Sequence, residues 1–486
     1  MVKAPFPATP ASLLVALLLS GCATVGPNYA APELAKPATW RGAAAARVAV
    51  APTTPEDLAT WWRQLDDPTL TSLVEQALQT SLDLRAAQAK LREARARRAL
   101  AGAELFPTVS GSAAGRRVKA SGESGGGGTA NLFSAGFDAS WEPDVFGGLQ
   151  RGVEAAQANL EASQASLHAV QVSLVAEVGL NYVELRASQA ALDIARANAT
   201  SQAETLQLTQ WRAQAGLTTA LDVEQARANL EQTRAQIPSL ETSRAEAEHR
   251  LEILLGQQPG TLAGQLAKPG GIPQIPARVT VGIPADALRQ RPDVRVAERT
   301  LAAETARIGV VEAQAYPNFS LSGSLGLEAL TLGALSGGNA VAGSVLGSVA
   351  APIFDAGRIR QQVNIQTAVQ EQALVNYEST VLNALAEVEN ALVAVANTRQ
   401  RQDNLREALQ AARLAARLAR HRYSAGLSDF QTVLDTERTV LTVEDKLTLS
   451  EADGAKALIQ LYKALGGGWS PAPANTIAAN AQGTSP

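Results

Sequence analysis

The segment Phe133-Ser134-Ala135-Gly136-Phe137-Asp138-Ala139-Ser140-Trp141 places apolar side chains at every odd position and small or polar ones at every even position. Successive side chains of a strand point to opposite faces, so such a stretch has one apolar face and one small, polar face. The pattern recurs where Phe319, Leu321, Gly323, Leu325 and Leu327 alternate with Ser320, Ser322, Ser324 and Gly326. It continues from Val341 to Ile353, with small residues between Val345, Val349 and Ile353, and Thr108 to Ala114 is a weaker, compatible copy. Alternation over about ten residues is the mark of a strand in a membrane β-barrel. A half-buried strand of a soluble sheet shows the same alternation, so the choice depends on the rest of the chain. Small membrane barrels begin at about eight strands, and lipid tolerates no open sheet edge. Four such strands therefore require several copies of the chain.

Long helical stretches flank the strands. No proline interrupts Gly148 to Ala213 or Arg358 to Tyr423. At 1.5 Å per residue each would be about 100 Å long. Leu160, Leu167 and Leu174 are spaced by seven; after a step of four, Val178, Leu185, Leu192, Ala199 and Leu206 resume that spacing. Leu374, Val381, Val388 and Val395 repeat it. Seven-residue spacing is a coiled-coil seam, and a step of four is a stutter that locally unwinds it. A plain two-stranded coiled coil would suffice for either helix alone, but it leaves the strands unexplained.

These pieces occur twice. Asp83-Leu84-Arg85 returns as Asp293-Val294-Arg295, Phe106-Pro107 as Tyr316-Pro317, and Ala215-Gly216-Leu217-Thr218 as Ala425-Gly426-Leu427-Ser428, each 210 residues later. Leu254-Leu255-Gly256 is answered by Ala464-Leu465-Gly466. A period this long signals a duplicated half, whereas 20–50 residues would signal a solenoid. Each half is expected to run as a helix (Leu70 to Glu104; Ala285 to Ala315), two strands, a very long helix, a glycine-centred turn and a final helix. The expected divisions are a signal peptide (1–21), an N-terminal segment and belt (22–69), the first repeat (70–256), a linker (257–283), the second repeat (284–468) and a disordered tail (469–486).

The N-terminus supports a membrane setting. Lys3 precedes a mostly apolar run from Ala11 to Leu19 that ends in Leu19-Ser20-Gly21-Cys22. The run is shorter than the roughly 20 residues a spanning helix needs and fits a signal-peptide core. The chain's one cysteine stands where the bacterial lipobox, which this stretch resembles, would place the acylated residue. Ala23 at the next position implies sorting to the outer membrane. The alternative is an ordinary signal peptide with an incidental cysteine. No other run is long and apolar enough for a transmembrane helix to be expected.

Composition narrows the function. Of 486 residues, 46% are hydrophobic and only 4% aromatic, which suits closely packed alanine-rich helices. A length prior of about three domains yields to the repeat. The net charge of −4 has no basic patch to suggest nucleic acid. One cysteine and three scattered histidines (His168, His249, His421) argue against disulfides, a metal site and a histidine-based catalytic centre. Gly125 to Gly128 lacks the Lys-Ser/Thr of a P-loop, and neither His-Glu-x-x-His nor Gly-x-Ser-x-Gly occurs, so no enzyme is expected. A secreted structural coiled-coil protein is the competing class.

Taken together, these residues resemble the TolC-like outer-membrane efflux channels, in the lipoprotein (NodT/OprM-type) branch. The resemblance is carried by Gly21-Cys22, Val25-Gly26-Pro27-Asn28-Tyr29, Trp61-Trp62, Asp67-Pro68, Ile283-Pro284 and Arg291-Pro292-Asp293-Val294-Arg295. Ala297-Glu298, Ala306-Arg307-Ile308-Gly309 and Leu461-Tyr462-Lys463-Ala464-Leu465-Gly466-Gly467-Gly468-Trp469 extend it. It implies a mainly α fold with membrane β: a homotrimer whose twelve-stranded β-barrel continues into a long periplasmic α-helical barrel. Residues 24–69, the linker and part of the C-terminus would form a belt. The implied role is a passive outer-membrane duct. Its partners would be a periplasmic adaptor, an inner-membrane pump of the resistance–nodulation–division class and outer-membrane lipid. It would carry no cofactor beyond covalent lipid on Cys22. A duct for type I protein secretion and a metal-ion exporter are the alternatives; Met1 is the only methionine, so the subunit has no thioether relay for soft metals.

Two candidate sites follow. Gly216 and Gly426 each end a helix at the position where a left-handed conformation favours glycine. With Leu217-Thr218 and Leu427-Ser428 they would form the periplasmic tips that meet the adaptor; ordinary hairpin turns are the plainer reading. Asp222 and Asp435, within ten residues of the tip glycines, are expected to gate the channel. Asp435 matches the Leu-Asp of the family's gating segment, and Gln431, one turn earlier, replaces a usually apolar residue. Threefold symmetry would gather six carboxylates, which favour cations, with Arg212, Arg422 or Arg438 as possible ion-pair partners. Exposed helix acids with no role are the alternative.

Overall fold

The computed structural model describes residues 24–33, 37–50, 58–268, 270–276, 279–281 and 284–470. The expected signal peptide, Cys22 and residues 471–486 of the expected tail lie outside the described residues, as do positions 269, 277, 278, 282 and 283 of the linker.

The principal elements appear in one order, twice. The first half has α1 (Pro68–Thr80), α2 (Leu82–Ala103), β1 (Thr108–Lys119), β2 (Thr129–Trp141), α3 (Gly148–Gln214) and α4 (Ala220–Leu254). The second has α5 (Pro284–Gln290), α6 (Pro292–Ala313), β3 (Asn318–Ala329), β4 (Val341–Ala350), α7 (Arg358–Ser424) and α8 (Phe430–Ala464). Both α3 and α7 have 67 residues and both α4 and α8 have 35, each pair beginning 210 residues apart.

Several element bounds differ from those expected. The first helix of each half is two helices, broken at Ser81 and at Arg291, again 210 apart. Ser81 has an extended ψ of 133°, and Arg291 precedes Pro292, whose ring disfavours a helical conformation at the preceding residue. Strand β1 runs on to Lys119, because β2 supplies partners as far as Lys119↔Thr129. Strand β4 stops at Ala350, before Pro352, which has no N–H to offer a ladder. Of the described residues of the expected N-terminal segment, 24–33 belong to one compact unit, and 37–50 and 58–69 to another.

Among the described residues the first unit comprises 24–33, 90–164 and 296–378. It holds a sheet of order β1-β2-β3-β4, antiparallel throughout. The register aligns Gly111, Phe137, Leu325 and Gly343 in one row and Ser110, Asp138, Ser324 and Ser344 in the next.

The second unit comprises the described residues of 37–89 and 165–295, and 379–470. Its core joins the apolar seam of α3 (Leu174, Val178, Leu185) to that of α7 (Val388, Val395) and to Leu458, Leu461 and Tyr462 of α8. Trp61 stacks on Tyr462 at 5.2 Å. Asp67 caps α1 through the Thr69 and Leu70 amides and accepts from the Tyr182 hydroxyl at 2.7 Å. Arg291 is buried: it donates to the Ala464 carbonyl at the end of α8 (2.8 Å), grips Asp293 and pairs with Glu387 (2.8 Å). Trp469, expected to open a disordered tail, is instead buried, stacked on His168 at 4.3 Å with its indole N–H on the Gln290 carbonyl. Among the described residues α7 contains a window apolar enough to cross a membrane by composition, contrary to expectation. Leu392 and Val395 of that helix are fully buried in this core.

Candidate functional site

The sheet separates its two faces by chemistry. On the polar face hydroxyls pair across strands: Thr108 with Ser140 (2.9 Å), Ser320 with Ser348 (2.6 Å) and Ser324 with Ser344 (2.8 Å), while Ser112 donates to Asp138 (3.2 Å). The other face leaves Val109, Phe137, Leu325, Val345 and Val349 open to solvent. An apolar face this extensive needs a covering medium. Among the described residues β1 and β4 are each paired on one side only, so one chain offers two unsatisfied edges.

Both expected tips are Schellman turns. The Gly216 N–H donates to the Ala213 carbonyl (3.0 Å) and the Leu217 N–H to the Arg212 carbonyl (2.8 Å). Gly426 and Leu427 repeat this with Tyr423 and Arg422 at the same distances. The glycines have φ of +71° and +73°, a region that side chains with a Cβ resist. Leu217 and Leu427 are 66% and 69% exposed, so each turn displays a leucine.

Thr218 and Asp222 are tied together in a cap. Asp222 Oδ2 accepts from the Thr218 hydroxyl (2.5 Å) and from the N–H (3.0 Å) and hydroxyl (2.9 Å) of Thr219, which caps α4. The Thr218 hydrogen bond, above all, holds the Asp222 carboxyl below the usual carboxylate range. The second tip reverses the parts: Asp429 is the cap and accepts from the Thr432 amide (2.9 Å) and hydroxyl (2.5 Å). Repeat register therefore matches Thr219 to Asp429 and Asp222 to Thr432.

The expected pairing of Asp222 with Asp435 is out of that register by three residues. Asp222 has Asp429 as its electrostatic neighbour, and Asp429 was missed. Asp435 is exposed and accepts from Gln431 Nε2, one turn back, at 2.9 Å. Ser428 is half-buried and Arg422 exposed. The suggested arginine partners are engaged elsewhere: Arg212 donates to the Tyr423 carbonyl (3.0 Å) and covers its ring, and Arg438 donates to Asn229 (3.1 Å).

Sequence reading also missed an ionic ladder behind the second tip. Arg420–Glu437 (2.9 Å), Arg413–Glu444 (2.7 Å) and Arg406–Glu451 (3.6 Å) step by seven residues in opposite directions along α7 and α8. Ser201, Thr205 and Asn198 of α3 add hydrogen bonds to it. It borders a groove of about 590 Å³. The first half keeps one rung, Arg196–Glu241 (2.8 Å); where the second has Glu437 and Glu444, the first has Arg227 and Arg234, paired within their own helix.

The outer membrane efflux protein family model matches residues 73–257 and 283–467, two stretches 210 residues apart. Nodulation protein T of Rhizobium leguminosarum bv. trifolii is 34% identical, over 94% of this chain and 96% of that protein. The pyoverdine export outer membrane protein OpmQ of Pseudomonas aeruginosa is also 34% identical, over 94% and 96%. Among solved structures, the outer-membrane channel OprN superposes with a TM-score of 0.88 at 38% identity, covering 92% of this chain and all of that one. The open-state MtrE channel of Neisseria gonorrhoeae gives 0.79 at 27%, covering 92% and 98%.

Proposed function

Because this chain belongs to the outer membrane efflux protein family, and so is an outer-membrane efflux channel subunit, we propose that it works as a homotrimer joined to a periplasmic adaptor and an inner-membrane pump. The observation that carries this reading is the four-stranded sheet with one bare apolar face and, among the described residues, both edges unpaired. Three copies would turn six unsatisfied edges into three pairings and close twelve strands, leaving the hydroxyl-rich face toward a wet lumen.

In this reading Cys22 carries lipid that anchors the mature N-terminus in the outer membrane. The turns at Gly216-Leu217-Thr218 and Gly426-Leu427-Ser428 meet the adaptor, the exposed leucines supplying apolar contact. The gate acid is Asp435, with Gln431 beside it; Asp222 serves chiefly to cap α4, since its carboxylate is already engaged by three donors. The duct is passive, so the pump and adaptor choose the cargo. Relatives named for pyoverdine export and for toluene efflux point to organic small molecules.

The test is complementation in a strain lacking its own channel, with the cognate adaptor and pump supplied. Restored resistance to pump substrates, lost when the adaptor is omitted, is the expected result. Secretion of a protein substrate without change in resistance would overturn the reading.

A further inference from the structure

The segment Thr24-Val25-Gly26-Pro27-Asn28-Tyr29 begins two residues after Cys22 and lies in a cradle built for it within the first unit. Arg151 of α3, its side chain only 4% exposed, donates to the Val25 carbonyl (2.9 Å), the Gly26 carbonyl (3.1 Å) and Asn28 Oδ1 (2.8 Å), and Glu154 balances its charge at 2.7 Å. The Val25 N–H donates to the Phe146 carbonyl (3.1 Å). Gly26 has φ of +87°, and a methyl there would stand 2.9 Å from the Gly309 amide nitrogen. A methyl on Gly309 would meet the Val25 carbonyl oxygen at 2.7 Å, and one on Gly147 would meet Thr24 Cβ at 2.8 Å. Tyr29 donates to Glu298 (3.3 Å) beneath the Arg299 guanidinium. Burial, reinforced by the Glu298 charge, pushes the Tyr29 phenol up to about 12.

A buried guanidinium is costly unless its donors are used. Here three contacts go to a terminal segment that forms no helix or strand. Three glycines also leave room for that segment's backbone. The cradle lies at the end of the sheet where strands meet helices. Phe146 there stacks on Tyr316 at 4.7 Å with Phe319 alongside, and Trp141 donates to the Leu105 carbonyl. Aromatic rings collect at the membrane–water boundary in barrel proteins.

We propose that residues 24–29 are a strap that fixes the acylated N-terminus at the level of this aromatic cluster, with Arg151 as its positioning residue and the acyl region of the inner leaflet as its partner. The proposal rests on the reading that Cys22 is acylated. Two residues reach at most about 7 Å, so a docked Thr24 leaves the lipid little choice of depth. Lipid and sheet then enter the bilayer as one registered unit.

The test uses the full chain as wild type, Arg151→Met, Gly26→Ala, Cys22→Ser and the Cys22→Ser/Arg151→Met double variant. Chymotrypsin cleavage after Tyr29 reports strap docking, and heat-labile trimer in outer membranes reports insertion. Arg151→Met and Gly26→Ala should each speed cleavage at least tenfold, with the acylated N-terminal mass retained. Trimer should fall in Arg151→Met, and the double variant should fall no further than Cys22→Ser. Slow cleavage in both strap variants, or additive losses in the double variant, would overturn the proposal; Gly26→Ala decides docking if Arg151→Met does not fold. An unacylated wild-type N-terminus would instead sink the lipid reading alone, while leaving strap protection measurable.

Discussion

The Arg420 guanidinium stands 2.9 Å from the Glu437 carboxylate, which is 5% exposed, and the two form the innermost rung of the α7–α8 ladder. The outermost rung, Arg406–Glu451, is longer, at 3.6 Å, and its glutamate is 27% exposed, while the two arginines are alike at 46% and 43%. Arg420 is itself 46% exposed, but removing it leaves the buried Glu437 carboxylate with the Thr205 hydroxyl as its remaining donor, a larger loss than that of a pair exposed on both sides, which contributes under about 1 kcal/mol. Arg420→Met should therefore speed amide exchange in the second hairpin far more than Arg406→Met. Equal effects would show that the rungs do not differ as their burial implies.

The tip glycines separate backbone strain from steric crowding, because a Cβ at Gly216 or Gly426 meets nothing within 4 Å. A β-branched residue there pays for the left-handed backbone, about 1–2 kcal/mol per site, while asparagine tolerates it better. The double Gly→Val variant should lose efflux with trimers intact, and the double Gly→Asn variant should keep much of it. Unchanged drug susceptibility with valine would remove the adaptor-contact role.

Asp222 gives the first tip a pH dependence. Its folded carboxyl ionises more readily than an unfolded one, so the cap stabilises α4 above the ordinary aspartate range, near pH 4, and is lost as pH falls through the lower folded value. Pepsin should cut Asp222→Asn faster than wild type near Leu217 and Leu221 at pH 4. The two rates should converge toward pH 2. A rate ratio that does not change with pH would mean the charge of Asp222 is not what the cap uses.

Gating is assigned to Asp435 rather than Asp222, and single-channel recording in planar bilayers distinguishes them. Asp435→Ala should widen the resting pore or weaken cation preference. Asp222→Ala should act mainly by loosening the turn. Wild-type conductance and ion preference in Asp435→Ala would place the gate elsewhere.

The strands at Phe133–Trp141 and Phe319–Leu327 could be read from the chain alone, because their period of two matches no other element. So could the 210-residue repeat and the glycine at each helix end. The breaks at Ser81 and Arg291 had only local signals: a serine after Gln79-Thr80 and a residue before proline. The Arg–Glu ladder was hidden for a different reason. Its partners mirror one another about the second turn, so finding them requires knowing where the turn folds back. Asp429 is found only by carrying the helix cap Thr219 forward 210 residues; the Leu-Asp match from Asp222 leads to Asp435, three residues out of register. The strap's cradle could not be foreseen, since Arg151, Gly147 and Gly309 are far from residues 24–29 in sequence.

In the proposed assembly one chain is a third of a closed membrane channel. Native mass spectrometry of protein extracted in mild detergent from outer membranes tests it most directly. One species at three times the mature chain mass, collapsing to single chains on heating, is the expected result. A folded monomer or dimer with protected sheet amides would contradict it, because β1 and β4 would then be satisfied without a ring of three.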